Sequence, residues 1–313
     1  MCCEPNSSRV DLRKDCDVVR IEFQSRAGLR GFLSPAFLEL KKLRRLDLQY
    51  TEVSGDLQRL SECRSLEWLH LSHSKVTGKL EALENATNLK GLYMANMEVA
   101  GDLSALQNAN ELLFVDLSYT RVAGELQGIE GAEGLYSMDL SHTNVTGDLD
   151  GLPLSLTRLD VSYTKVAGDI QGLQSALKDA ENLGYLDISG TDLEGDVSEL
   201  QLDFLETFKA TGCRLHGSFD GDSFESLVTL DLTATQVSHV EVIPSKCRTL
   251  LLAHIDSMSF APGLLREAVE DYVFVDLSNV TFTNRTEARQ VVPCLSSLII
   301  TRIASLQACR VSC

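Results

Sequence analysis

Two histidines three residues apart, His70 and His73, are the first residues whose spacing suggests chemistry. A metal centre or a proton relay would need a third ligand or partner at a fixed spacing. The sequence supplies none, and it contains no HExxH, GxSxG, P-loop or CxxC pattern. No catalytic residue, metal ligand or cofactor is therefore expected, and the chain reads as a non-enzyme. Another chemistry is better represented. Aspartates recur at Asp47, Asp116, Asp139, Asp160 and Asp187, and aromatic rings at Trp68, Tyr93, Phe114 and Tyr119. A row of carboxylates attracts cations, and aromatic side chains carry much of the binding energy of protein interfaces. These residues suit contact rather than bond-making.

Charge narrows the partner. The 313 residues hold 28 Lys and Arg against 45 Asp and Glu, a formal net charge of −17. Binding to a phosphate backbone or an anionic lipid surface needs clustered cations, so no nucleic-acid partner is expected. Hydrophobic residues make up 44% of the chain, enough to build a core. No apolar run approaches the ~18 residues of a membrane span, so direct membrane insertion by this chain is not expected. The start, Met1-Cys2-Cys3-Glu4-Pro5, lacks a basic region followed by an apolar run. The compartment stays open: an intracellular site is slightly favoured, an extracellular one if the chain is a fragment. Nine cysteines leave at least one thiol unpaired within a monomer, and both free thiols and terminal disulfides remain open. Sequons occur at Asn6, Asn85, Asn144, Asn279 and Asn284.

The elements that place these residues follow from an internal repeat. Leu43-Arg-Arg-Leu46-Asp47-Leu48 returns as Leu66-Glu-Trp-Leu69-His70-Leu71, Leu89-Lys-Gly-Leu92-Tyr93-Met94 and Leu112-Leu-Phe-Val115-Asp116-Leu117. Further copies open at Leu135, Leu156, Leu183, Leu205 and Leu227, weaker ones at Cys247, Tyr272 and Leu295, and a divergent first copy near Cys16. Successive openings lie 20 to 27 residues apart. The best copies read LxxLDLSxTxVxGDLxxL, which resembles the plant-type, receptor-like leucine-rich repeat. Thr replaces the usual Asn at the ninth position, as in Thr51, Thr120, Thr143, Thr164, Thr191 and Thr235, and Asp follows the Gly where Ile-Pro is usual.

The resemblance implies an α/β leucine-rich-repeat solenoid, a curved horseshoe or superhelix. Its parallel sheet would line the concave side, with short helices or loops on the convex side. Residues 1–15 are expected as a tail or cap remnant, and 16–313 as one repeat domain of about thirteen units, the last incomplete. Alternation puts the fourth and sixth residues of each copy on one buried strand face, and stacking of copies completes that face. The ninth-position hydroxyls are expected to satisfy backbone groups where the chain leaves the strand. The recurring Gly, from Gly55 to Gly217, marks a site where a Cβ is unwelcome. The extra residues around Gln174–Ala180 are expected to lengthen one convex helix by a turn.

The exposed strand residues are then the candidate site. Trp68, His70, His73, Tyr93, Phe114, Asp116, Tyr119, Asp139 and Asp160 form the expected partner-binding patch. Ser118, Ser141, Ser162 and Ser189 stand where they can hydrogen-bond the aspartates. The function expected is non-catalytic recognition of a protein or peptide on the concave face, with an acidic stripe favouring a basic partner. The alternative is the ligand-sensing extracellular part of a leucine-rich-repeat receptor-like protein.

Overall fold

From Arg45 on, each described repeat contributes a three-residue strand to a first parallel sheet, as the Leu-x-x-Leu-x-Leu spacing requires. In the computed structural model, residues 9–12, 18–23, 28–261, 264 and 274–283 are described. The chain divides into two compact units, Met1–Val166 and Ala167–Cys313. In the first unit the sheet runs through Val18–Glu22, Arg45–Asp47, Trp68–His70, Gly91–Tyr93, Phe114–Asp116, Ser137–Asp139 and Arg158–Asp160, all parallel and in register. Arg9–Leu12 pairs antiparallel with Val18–Glu22 at its edge. In the second unit Tyr185–Asp187, Thr207–Lys209, Thr229–Asp231, Thr249–Leu251 and Phe274–Asp276 repeat the arrangement. The opening at Cys16, the final copy from Leu295 and the terminal cysteines lie outside the described residues. Cys63, Cys213 and Cys247 are buried free thiols.

Register places equivalent side chains over one another. Leu46, Leu69, Leu92, Val115, Met138 and Leu159 are buried in one column, and Leu48, Leu71, Met94, Leu117, Leu140 and Val161 in the next. In the second unit the core adds a cluster of Phe208, Phe219 and Phe224, with ring centres 5.1 and 6.1 Å apart.

A second parallel sheet was not evident from the repeat pattern. The Val-x-Gly segments form it, through Arg30–Phe32, Glu52–Asp56, Lys75–Lys79, Val99–Asp102, Arg121–Glu125 and Asn144–Gly147 in the first unit. Asp192–Asp196, Arg214–Asp220, Gln236–Val242 and Ser259–Phe260 form it in the second. Charge alternates along its leading column: Arg30 and Lys75 meet Glu52 at 2.9 and 3.4 Å, and Arg121 meets Glu98 at 3.2 Å. In-register strands would otherwise stack like charges, so the alternation favours this pairing.

Short 3₁₀ turns follow at Leu57–Leu60, Leu80–Leu83, Leu103–Leu106 and Leu126–Ile129. The Asp after the Gly has a local reason: Asp56 accepts from Gln58 N at 2.8 Å and Asp102 from Ser104 N at 2.9 Å, capping the turn. In the longer repeat the turn becomes an α-helix, Ile170–Leu177, capped by Asp169.

The ninth-position threonines are buried and close their own turns. Thr51, Thr120, Thr143, Thr164, Thr191 and Thr235 each donate to the carbonyl three residues back, at 2.6 to 2.7 Å. Cys213, in the same position, instead reaches the Ile188 carbonyl of the preceding repeat at 3.0 Å. Replacing Thr143 by Val leaves the Leu140 carbonyl without this donor. A loss of about 1–2 kcal/mol is expected in denaturant unfolding, and a loss below a few tenths would show the bond to be dispensable.

Candidate functional site

The first-sheet face of the first unit is built by the third and fifth residues of each repeat, the two ends of its strand. Along the third position lie Arg45, Trp68, Gly91, Phe114, Ser137 and Arg158. Gly91 is the unusual member. A Cβ there would collide with the six-membered ring of Trp68, so the indole lies over the one position of its neighbouring strand that carries no side chain. Trp68 is half-buried as a result. The Arg45 guanidinium sits 5.6 Å from its ring centre, while Arg45 Nε pairs with Glu22 at 3.0 Å. Phe114 lies 6.2 Å from Trp68, and Tyr136 meets Phe114 edge-on at 5.7 Å. Along the fifth position His70 stacks on Tyr93 at 4.5 Å and lies 6.2 Å from Trp68. Five rings thus form one continuous patch. Tyr136, Arg45 and Gly91 were missed by sequence reasoning. Tyr136 precedes its strand by one residue, and a glycine carries no signal of what rests on it.

Electrostatically the patch is divided. His70 Nε2 is buried with no hydrogen-bond partner, and burial, helped by Arg45, pushes its pKa down to about 4. Burial also raises Tyr93, with the Asp116 charge adding to the effect. Next to the rings come the aspartates, and their first role is local. One oxygen of Asp116 accepts Ser118 N and Oγ at 3.1 and 2.7 Å. Asp139 binds Ser141 likewise at 3.0 and 2.7 Å, and Asp160 binds Ser162 at 3.2 and 2.7 Å. These are Asx turns that carry the chain off the strand. Asp160 is buried, and its second oxygen takes Arg158 at 3.1 Å. Arg158 also stands 3.9 Å from Asp139, whose carboxyl burial pushes above the ordinary range. Asp116 Oδ2 has no basic side chain within 4 Å among the described residues. In the second unit Lys209 interrupts the acidic row and pairs with Asp187 at 3.6 Å.

The nine expected site residues fall into two groups. Trp68, His70, Tyr93, Phe114, Asp116, Asp139 and Asp160 share the sheet face. His73 and Tyr119 do not: they sit in the turn after the strand, at φ 59° and 55°. Tyr50, Asn96, His142 and Tyr163 hold the same left-handed turn position. Rings stack along this row, Tyr50 on His73 at 4.7 Å, Tyr119 on His142 at 4.1 Å and His142 on Tyr163 at 4.5 Å. Among the described residues no group of three or more His, Cys, Asp or Glu could hold a metal ion. No helix among them is long and apolar enough to cross a membrane.

Comparison with solved structures identifies the architecture. The leucine-rich-repeat ectodomain of the Arabidopsis thaliana receptor kinase GASSHO1/SCHENGEN3 superposes with a TM-score of 0.61 at 19% identity, covering 81% of this chain and 34% of that one. The ectodomain of the Arabidopsis receptor kinase HAESA, in complex with a peptide hormone ligand, gives 0.64 at 18%, covering 82% and 49%. Internalin InlF of Listeria monocytogenes gives 0.60 at 18%, covering 92% and 89%. The chain thus spans about a third to half of those plant receptor chains. No family model and no curated protein sequence matches it. The stacked parallel strands, the recurring glycines and these neighbours agree: the chain has a leucine-rich-repeat fold.

Proposed function

We propose that the chain is a non-catalytic binding module that takes a protein or peptide partner on the first-sheet face of its first unit. The observation that carries this reading is the continuous patch of Trp68, His70, Tyr93, Phe114 and Tyr136. It holds five rings on one sheet face, four of them half-buried and Tyr136 half exposed. Large rings beside a polar rim are what interface hot spots require. Asp116 and Asp139, on adjacent strands at its margin, favour a basic partner, because the one cation near them among the described residues, Arg158, stands 3.9 Å from Asp139 and is engaged by Asp160 at 3.1 Å. The peptide-bound HAESA ectodomain supports a peptide or protein as the kind of ligand.

The test is capture of partners by the purified chain at low and then moderate salt, wild type beside Trp68→Ala. Trp68→Ala is expected to fold, since it removes a half-buried side chain outside the leucine columns. Loss of a hot-spot ring costs roughly 2 kcal/mol or more, about thirtyfold in affinity. Capture unchanged by the substitution would remove the patch from the site, and capture insensitive to salt would remove the basic partner.

A second reading, the ligand-sensing extracellular part of a receptor-like protein, is favoured by the exposure of Asn85, Asn144 and Asn279, all in sequons. Protein isolated from its natural source is then expected to carry N-linked glycan at these residues, read by mass before and after enzymatic deglycosylation. An unmodified mass at all three would refute this reading.

A further inference from the structure

The turn row of the first unit holds large side chains where the backbone prefers small ones. Positive φ disfavours bulky residues, and an αL tyrosine or histidine costs of order 1 kcal/mol or more relative to glycine. In the second unit the same position passes from Gly190 and Gly212, at φ 65° and 74°, to Ala234, His254 and Asn279, at φ 57–59°, so it holds one ring among five residues. Yet the first unit places Tyr50, His73, Tyr119, His142 and Tyr163 there, and its three tyrosines remain 53 to 54% exposed. The fold can therefore make this turn without rings, and stacking between neighbours offsets only part of the strain. Strain kept at exposed side chains points to recognition.

The row has one gap. Successive rings are 4.1 to 4.7 Å apart where consecutive repeats both supply them. At Asn96 the ring is missing, and the Asn side chain is exposed. His73 is stacked on its far side by Tyr50, and Tyr119 on its far side by His142. The inner faces of His73 and Tyr119 therefore look toward the place above Asn96. Two strand spacings of ~4.8 Å put them about 9–10 Å apart. A planar group in van der Waals contact on both sides needs about 7–8 Å, so a small inward tilt of the rings closes the slot on one.

We infer that this slot above Asn96 seats an arginine side chain of the partner. A guanidinium is planar, stacks on aromatic faces and carries five donors, one of which can reach the Asn96 amide oxygen. The chain's net charge of −17 and the second oxygen of Asp116, which opens the turn bearing Tyr119 and has no basic side chain within 4 Å among the described residues, favour a cation over a neutral ring. The inference rests on the reading of the chain as a binder of protein partners, but on a row of residues separate from the sheet-face patch.

The probe is Nα-acetyl-arginine N-methylamide, titrated into the isotope-labelled full chain and followed by NMR. Saturable shifts are expected at His73, Asn96 and Tyr119, at least fivefold weaker with the lysine analogue and with the neutral, planar citrulline analogue. Asn96→Tyr completes the ring row and is expected to fold, because tyrosine already holds this position in three other repeats. It should weaken the probe at least tenfold. Asn96→Gly, which matches Gly190 and Gly212 of the second unit, keeps the slot open and should weaken it only a few-fold. No saturable shift at the three residues, or wild-type binding in Asn96→Tyr, overturns the seat. Trp68→Ala separates the two readings: probe binding retained with partner capture unaffected would sustain the seat and remove the sheet-face patch.

Discussion

Replacing Gly101 with valine is expected to lower the unfolding free energy by at least about 3 kcal/mol. Gly101 lies at φ +114°, outside the region open to side-chain-bearing residues. A Cβ there would stand 2.7 Å from the Leu80 backbone nitrogen and 3.1 Å from its Cβ, and would meet the Glu81 carboxylate. The carboxylate can swing away, but Leu80 is fully buried and its backbone belongs to the preceding repeat. Valine adds β-branching to a site that rejects even a methyl group. In a solenoid each repeat is held by its neighbours, so the damage reaches the adjoining interface. Gly212→Ala provides the contrast. Its φ is also positive, at +74°, but nothing lies within 4 Å of the added carbon. It should cost only about 1 kcal/mol, the backbone part alone. Denaturant unfolding of both variants reads the difference, and equal losses would mean that close packing at the glycine column contributes nothing.

Acid should weaken the first unit through His70. Burial holds its folded pKa at about 4, against an ordinary 6.5. Between those values the unfolded chain binds a proton that the folded chain refuses, so stability is complete above about pH 6.5 and falls as pH drops toward 4. His70 is only partly buried, and solvent screening reduces the full linkage energy to about 1–2 kcal/mol. Asp47 and Asp139 act in the opposite sense. Burial raises both carboxyls, so protonating them at low pH relieves a cost in the folded state. The histidine contribution is isolated by comparing wild type with His70→Phe, which keeps a ring against Tyr93 and cannot be charged. Stability measured across pH 4 to 7 should decline more steeply in wild type. Parallel curves would show that His70 titrates normally in the folded protein.

Parts of the site were legible from residue types. Asp-x-Ser spacing pointed to the hydrogen bonds that Ser118, Ser141 and Ser162 make. Ser189 differs: only its backbone N reaches Asp187, and its hydroxyl accepts from Thr211 N of the next repeat. The same bonds consume half of each carboxylate, so the aspartates are turn-formers before they are a docking stripe. That priority depends on burial, which differs among identical residues: Asp160 is buried with Arg158 across it, while Asp116 has one oxygen without a cation among the described residues. His73 and Tyr119 were read with the sheet face because bulky residues are not expected at positive φ. The Val-x-Gly strands were hidden by their glycine, a residue that ordinarily argues against a strand.

By itself the sequence determined the repeat, the two leucine columns and the glycine column where a Cβ is unwelcome. A period near 23 residues repeated many times leaves one way to bury the apolar face, by stacking copies in register. Tertiary structure alone decided which polar and aromatic side chains meet. Trp68 lies flat only because Gly91, one repeat later, leaves room for it. His73 stacks on Tyr50, and Tyr119 on His142, only because all four hold the same left-handed turn position in adjacent repeats. Such contacts join residues 23 or more positions apart, and they depend on the register and backbone hand of neighbouring repeats, which no single repeat encodes.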